Sequence, residues 1–197
     1  MPRKNEIDML HGPLLAKIII FAMPLAASSI LQQLFNSVDV AVVGRFDSSY
    51  ALAAVGSNGP VISLLINLFL GISMGANVVI SNHIGQKDNN LTKYAIRTTA
   101  ATALFSGLAL AVIGVLAARP ILTIMGTPTE VLDMAVRYLR IYFIGTPFLL
   151  IYNFGSAILR SKGDTSRPLY ILIVAGIINT VLNLILVIVF HMGVAGV

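Results

Sequence analysis

The sequence predicts an all-α, polytopic transmembrane helix bundle, and three observations carry that reading. Hydrophobic residues make up 57% of the chain against 11% charged, with a mean hydropathy of +0.89, a composition outside that of water-soluble domains. Five apolar runs, at about 18–43, 61–80, 95–118, 138–158 and 169–190, are each long enough to cross a hydrocarbon layer of about 30 Å at about 1.5 Å per residue. The basic residues stand in or beside the gaps between those runs. A net charge of +5 would point to nucleic acid in a soluble domain, but this placement sets orientation in lipid instead. Cysteine is absent, which removes disulfide and thiol chemistry from consideration.

Residues 1–12 read as a polar cytoplasmic leader. Arg3 and Lys4 ahead of an apolar run imitate a secretory signal, but the run is too long and lacks a small-residue cleavage pattern, so a retained helix is expected. The first run, IIIFAMPLAASSILQQLFNSVDVAVV, carries Ser29, Gln32, Gln33, Asn36 and Asp39 at three- or four-residue spacing, which puts them on one side of a helix. Amide and acid groups facing acyl chains cost at least a few kcal/mol, so this stripe is expected to face a bundle interior or a water-filled cleft. Asp39 is the one carboxylate within the five runs. It either marks the interface near its helix end or binds a coupling cation, a proton or Na+, with Asn36 one turn earlier as an oxygen ligand. Pro24 removes a backbone donor and predicts a bending point.

The second run places Ser63, Asn67, Gly71 and Gly75 in fourfold register, and the two glycines predict close contact with another helix. Asn67 either bonds a neighbouring helix or lines a cleft. The third run, with Thr98, Thr99, Thr102 and Ser106 as its polar content, reads as scaffold. In the fourth, Tyr142, Gly145, Thr146, Asn153 and Ser156 share one side, and Pro147 predicts a second hinge; Tyr142 and Asn153 serve either packing or a substrate cleft. The segment 159–168, with Gly163 and Asp164, is a turn. The fifth run aligns Gly176, Asn179, Thr180 and Asn183, and its two amides either join helices or, if this helix packs beside the first, add oxygen ligands near Asp39.

With the N-terminus in the cytoplasm, that side holds nine basic residues (Arg3, Lys4, Lys17, Lys87, Lys93, Arg97, Arg160, Lys162 and Arg167) and the other side four (Arg45, Arg119, Arg137 and Arg140). The asymmetry predicts an N-terminus inside. No nucleotide-binding G-x-x-x-x-G-K, no H-E-x-x-H and no G-x-S-x-G occurs, so no enzyme or resident cofactor is expected. His11, His83 and His191 lie outside the runs and read as solvated. The chain stops at residues 193–197 on what looks like the start of a sixth helix, which predicts a fragment whose C-terminal lobe is missing.

Several motifs, in order, resemble one family. LQQLFNSVDVAVVGRF (residues 31–46) followed by ALAAVG, then GISMGANVVISNHIGQKD (71–88), LRSKGDTSRPL (159–169) and NTVLNLILV (179–187) are similar to helices one, two, four and five of the multidrug and toxic compound extrusion (MATE) transporters. The resemblance implies twelve helices in two six-helix lobes around a central cleft, of which this chain supplies most of the first lobe. It implies a secondary antiporter in the plasma (inner) membrane that exports drugs or other amphipathic or cationic compounds in exchange for H+ or Na+. Asp39 would then be the functional first-helix acid, and Pro24 the first-helix proline. Where many members carry Asn followed four positions later by Asp, this sequence has Asn179 and Asn183. Two alternatives stand beside that reading: a flippase for a lipid-linked sugar of the same superfamily, which would be expected to line its cavity with arginines, and a non-transporting membrane module that assembles with partners.

Overall fold

The computed structural model describes residues 14–196; the leader at 1–12, with Arg3, Lys4 and His11, lies outside the described residues. Five long helices follow one another: α1 (Leu14–Phe46), α2 (Ser49–Gly85), α3 (Asn89–Ile124), α4 (Thr129–Ser161) and α5 (Ser166–Leu184). α5 runs on into a π-helical turn at Ile185–Val189, and a short 3-10 turn, Gly193–Ala195, comes after it. All five are long and apolar enough to cross a membrane.

The first four span 33 to 37 residues, or about 50–55 Å. That exceeds the hydrocarbon thickness, which is why hydropathy located only their middles: the turns beyond the apolar layer are polar but remain helical. Side chains set the starts of two of them. Ser48 Oγ accepts from the Ala51 amide at 3.2 Å to cap α2, and Asp88 Oδ1 accepts from the Asn90 and Leu91 amides at 3.0 and 2.9 Å to cap α3. Gly163, at φ 79°, reverses the chain after α4 in a conformation that only glycine adopts cheaply.

The core sits between α2, α3 and α4, where Leu139, Phe143, Leu150 and Phe154 of α4 are buried. Two α3 glycines allow the close approach. A Cβ at Gly107 would stand 2.7 Å from Pro147 Cα, and one at Gly114 would overlap the Phe143 ring. Among the described residues the predicted contact through Gly71 and Gly75 is not made: both are exposed, with nothing within 4 Å of where a Cβ would be. Composition marked small residues in both helices, but only packing decides which pair meets. Asn58 of α2 is fully buried, and its Nδ2 donates to the Ala135 carbonyl of α4 at 3.2 Å, fixing the register of two parallel helices.

α1 packs mainly on α5 and only lightly on α2. Val42 and Val43 are its buried positions, while Leu15, Ile18, Ile19, Ile20 and Met23 are exposed, as residues facing lipid would be. At its far end the chain folds back so that Gly193 lies beside Asp47 of the α1–α2 turn.

Candidate functional site

α1, α2, α4 and α5 enclose a cavity of about 360 Å³. Its polar lining is Gln32, Asn36 and Asp39 from α1, Tyr142, Tyr152 and Asn153 from α4, and Asn179 from α5. Phe35, Ile66, Leu70, Leu149 and Leu172 complete an apolar wall. The cavity exists because the α1 stripe and the α5 amides face each other, and the close approach of those helices follows from one glycine: a Cβ at Gly176 would overlap the Phe35 ring.

Asp39 is half-buried at one wall. Asn183, itself buried, donates through Nδ2 to Asp39 Oδ1 at 2.6 Å, and the same Nδ2 donates to Asn179 Oδ1 at 3.3 Å. With both amide hydrogens spent, Asn183 links the carboxylate to Asn179 without adding charge of its own. Thr180 Oγ1 donates to the Gly176 carbonyl at 2.9 Å and so takes no part in the cluster. Tyr138 of α4 lies within electrostatic reach of Asp39. Among the described residues no group of three or more His, Asp or Glu side chains gathers to hold a metal ion. What the arrangement offers is a single negative charge, neutral amide oxygens and phenols, a set suited to a monovalent cation or a proton.

The expected site residues divide. Asp39, Asn36, Asn179 and Gln32 meet Tyr142 and Asn153 around one space, and Asn183 bonds directly to Asp39. Gln33 and Asn67 are exposed and do not line it. Gln33 is one residue from Gln32, and the roughly 100° step of a helix turns it away. Pro147 is buried against Gly107, whereas Pro24 is only half-buried, with Ser28 Oγ donating to its carbonyl at 2.8 Å. Phe35, Tyr138 and Tyr152 went unread because aromatic residues in an apolar run look like core until their neighbours are known. His83, expected to be solvated, is corrected: it is half-buried, with Nδ1 shielded from solvent and unpartnered.

A multi-pass helix bundle that holds a polar, singly charged cavity among its membrane-crossing helices has the build of a membrane transporter, not of an enzyme. The MatE family model matches residues 24–185, and the chain belongs to that family, one of transporters. It is 36% identical over 168 residues to the probable multidrug resistance protein YoeA of Bacillus subtilis (strain 168), covering 85% of this chain and 36% of that protein. It is 24% identical over 189 residues to the multidrug export protein MepA of Staphylococcus aureus (strain MRSA252), covering 94% of this chain and 41% of that protein. Among solved structures, a MOP superfamily transporter from Pyrococcus furiosus superposes with a TM-score of 0.90 at 26% identity, over 100% of this chain and 43% of that one. The chain thus spans about two fifths of the length of the relatives it matches.

Proposed function

We propose that the chain is the first lobe of a secondary antiporter that exports drugs or other amphipathic, often cationic compounds in exchange for H+ or Na+ across the plasma (inner) membrane, with its N-terminus in the cytoplasm. The observation that carries the reading is the Asp39–Asn183–Asn179 cluster opening on the cavity. Two relatives named for multidrug resistance and multidrug export support it. Asp39 binds the coupling ion, with Asn36 and Asn179 as oxygen ligands when that ion is Na+. Because position 183 is an amide, the site carries one charge and takes one monovalent ion at a time. The exported compound occupies the cavity between Gln32, Tyr142 and Asn153, and Pro24 is the hinge of α1. The second lobe supplies the other wall of the pathway, so the 197 residues alone do not transport.

Replacing Asp39 with asparagine keeps the shape of the side chain but removes the charge and the exchangeable proton. In the two-lobed transporter reconstituted into liposomes, Asp39→Asn abolishes ion-driven efflux of a fluorescent organic cation while the protein remains monodisperse in detergent. Efflux at the unmutated rate, with the same dependence on the ion gradient, overturns the reading.

A further inference from the structure

Toward the α4–α5 turn, beyond the cavity, stand polar groups that the Asp39 cluster does not use. Tyr152 is part of the cavity wall, and its hydroxyl donates to the Pro168 carbonyl at 3.2 Å, tying α4 to the first turn of α5. Two turns further along α4 stands Arg160, half-buried, with its guanidinium within electrostatic reach of the Tyr152 phenol. Helical side chains lean toward the N-terminus of their helix, so Arg160 leans back beneath the cavity floor. Its Nε is shielded from solvent and has no hydrogen-bond partner. No ion pair engages it among the described residues. The nearby acid, Asp164, is buried and already committed, accepting from the Arg167 amide at 3.1 Å and pairing with Arg167 Nε at 3.0 Å.

α2 supplies the facing side of this floor. The Asn58-to-Ala135 bond sets α2 and α4 in register, and His83 lies as far beyond Asn58 as Arg160 lies beyond Ala135. That distance is about seven turns on each helix, which returns both residues to the contacting faces at one height. His83 Nδ1 is shielded and unpartnered as Arg160 Nε is. A permanent cation, two unsatisfied nitrogens and a bridging phenol therefore lie between the cavity and the α4–α5 face.

We propose that Arg160, seated beneath Tyr152, is a charge-selective plug that closes the cavity toward the α4–α5 face and repels cations passing between the two. Guanidinium is the right group for this, since it stays charged whatever its surroundings. A unit charge facing a passing cation at about 8 Å, with an effective dielectric constant of about 20, changes its local concentration by about tenfold or more. Asp39 is thereby screened from cations on that side while remaining open to them from the other. The inference takes the cavity as the binding space but not its use in transport.

The test reads access and not efflux, so it fails separately from the antiporter reading. Residues 1–197 contain no cysteine, so in the two-lobed transporter, with any cysteine outside them replaced by serine, Leu149→Cys in the cavity wall gives a single thiol. Membrane-impermeant cationic and anionic thiol reagents of matched size are applied to each face of sealed vesicles. From the α4–α5 face the cationic reagent reacts about tenfold more slowly, relative to the anionic one, than it does from the opposite face. Arg160→Gln removes that difference and Arg160→Lys retains it, with labelling from the opposite face unchanged. Arg160→Met, also neutral, serves the same comparison if the glutamine variant does not insert. Equal charge preference from the two faces, or a preference that survives loss of the Arg160 charge, overturns the proposal.

Discussion

The α2–α3–α4 block and the α1–α5 pair are both built from helices apolar enough to cross a membrane but are held together differently. In α4, 44% of the most apolar stretch is buried inside the protein, and in α1 none of it is. Both units use a glycine against a phenylalanine, Gly114 against Phe143 in the block and Gly176 against Phe35 in the pair. Phe143 is 2% exposed and packed among α2, α3 and α4 beside an apolar cavity of about 280 Å³, whereas Phe35 lies at the wall of the polar cavity on a helix with few buried neighbours. The block is scaffold. The pair carries Asp39, Asn179 and Asn183.

The sharpest way to break this comparison is to place the same methyl group at both glycines. Gly114→Ala forces the new Cβ into a buried ring whose displacement disturbs the packing of three helices, at a cost of about 3 kcal/mol. Chemical unfolding in detergent reads that loss as an early transition. Gly176→Ala meets a ring that can swing into the cavity and costs about 1 kcal/mol by the same measurement. Equal losses at the two sites would mean that α1 is fixed as firmly as α4. The smallest effect belongs to the surface of the block: Arg119 pairs with Asp133 at 3.0 Å, but the two side chains are 59% and 82% exposed. Arg119→Ala is therefore expected to shift unfolding by no more than about 0.5 kcal/mol. A larger loss would show that the ends of α3 and α4 are pinned by charge and not by packing.

Much of this was legible in the residues. The five apolar runs gave the helices because lipid enforces a long apolar stretch whatever its neighbours are, and the stripe through Gln32, Asn36 and Asp39 gave one wall of the cavity because helical spacing does so directly. That α5 would stand opposite α1, bringing Asn183 to 2.6 Å from Asp39, depends on how five helices pack, and the sequence could state it only as a condition. The close-contact glycines were sought in α2, where their spacing is regular, and found in α3, where Gly107 and Gly114 lie two turns apart and face Pro147 and Phe143. Arg160 illustrates the same limit: its place at the end of an apolar run marked it as an interfacial charge, and only the packed structure shows its Nε shielded from solvent.

The turn that lays Gly193 beside Asp47 gives α1 the mechanics of a lever. Its fulcrum is the end where Val42 and Val43 are buried, and its long arm is the exposed stretch that runs back toward Leu15. Asp39 is one turn, about 6 Å, from that fulcrum, while Pro24 is about 28 Å away. A tilt that moves Asp39 by about 0.5 Å keeps it within hydrogen-bond reach of Asn183 and sweeps Pro24 through about 2 Å, so a displacement the cluster tolerates is magnified several-fold where α1 bends.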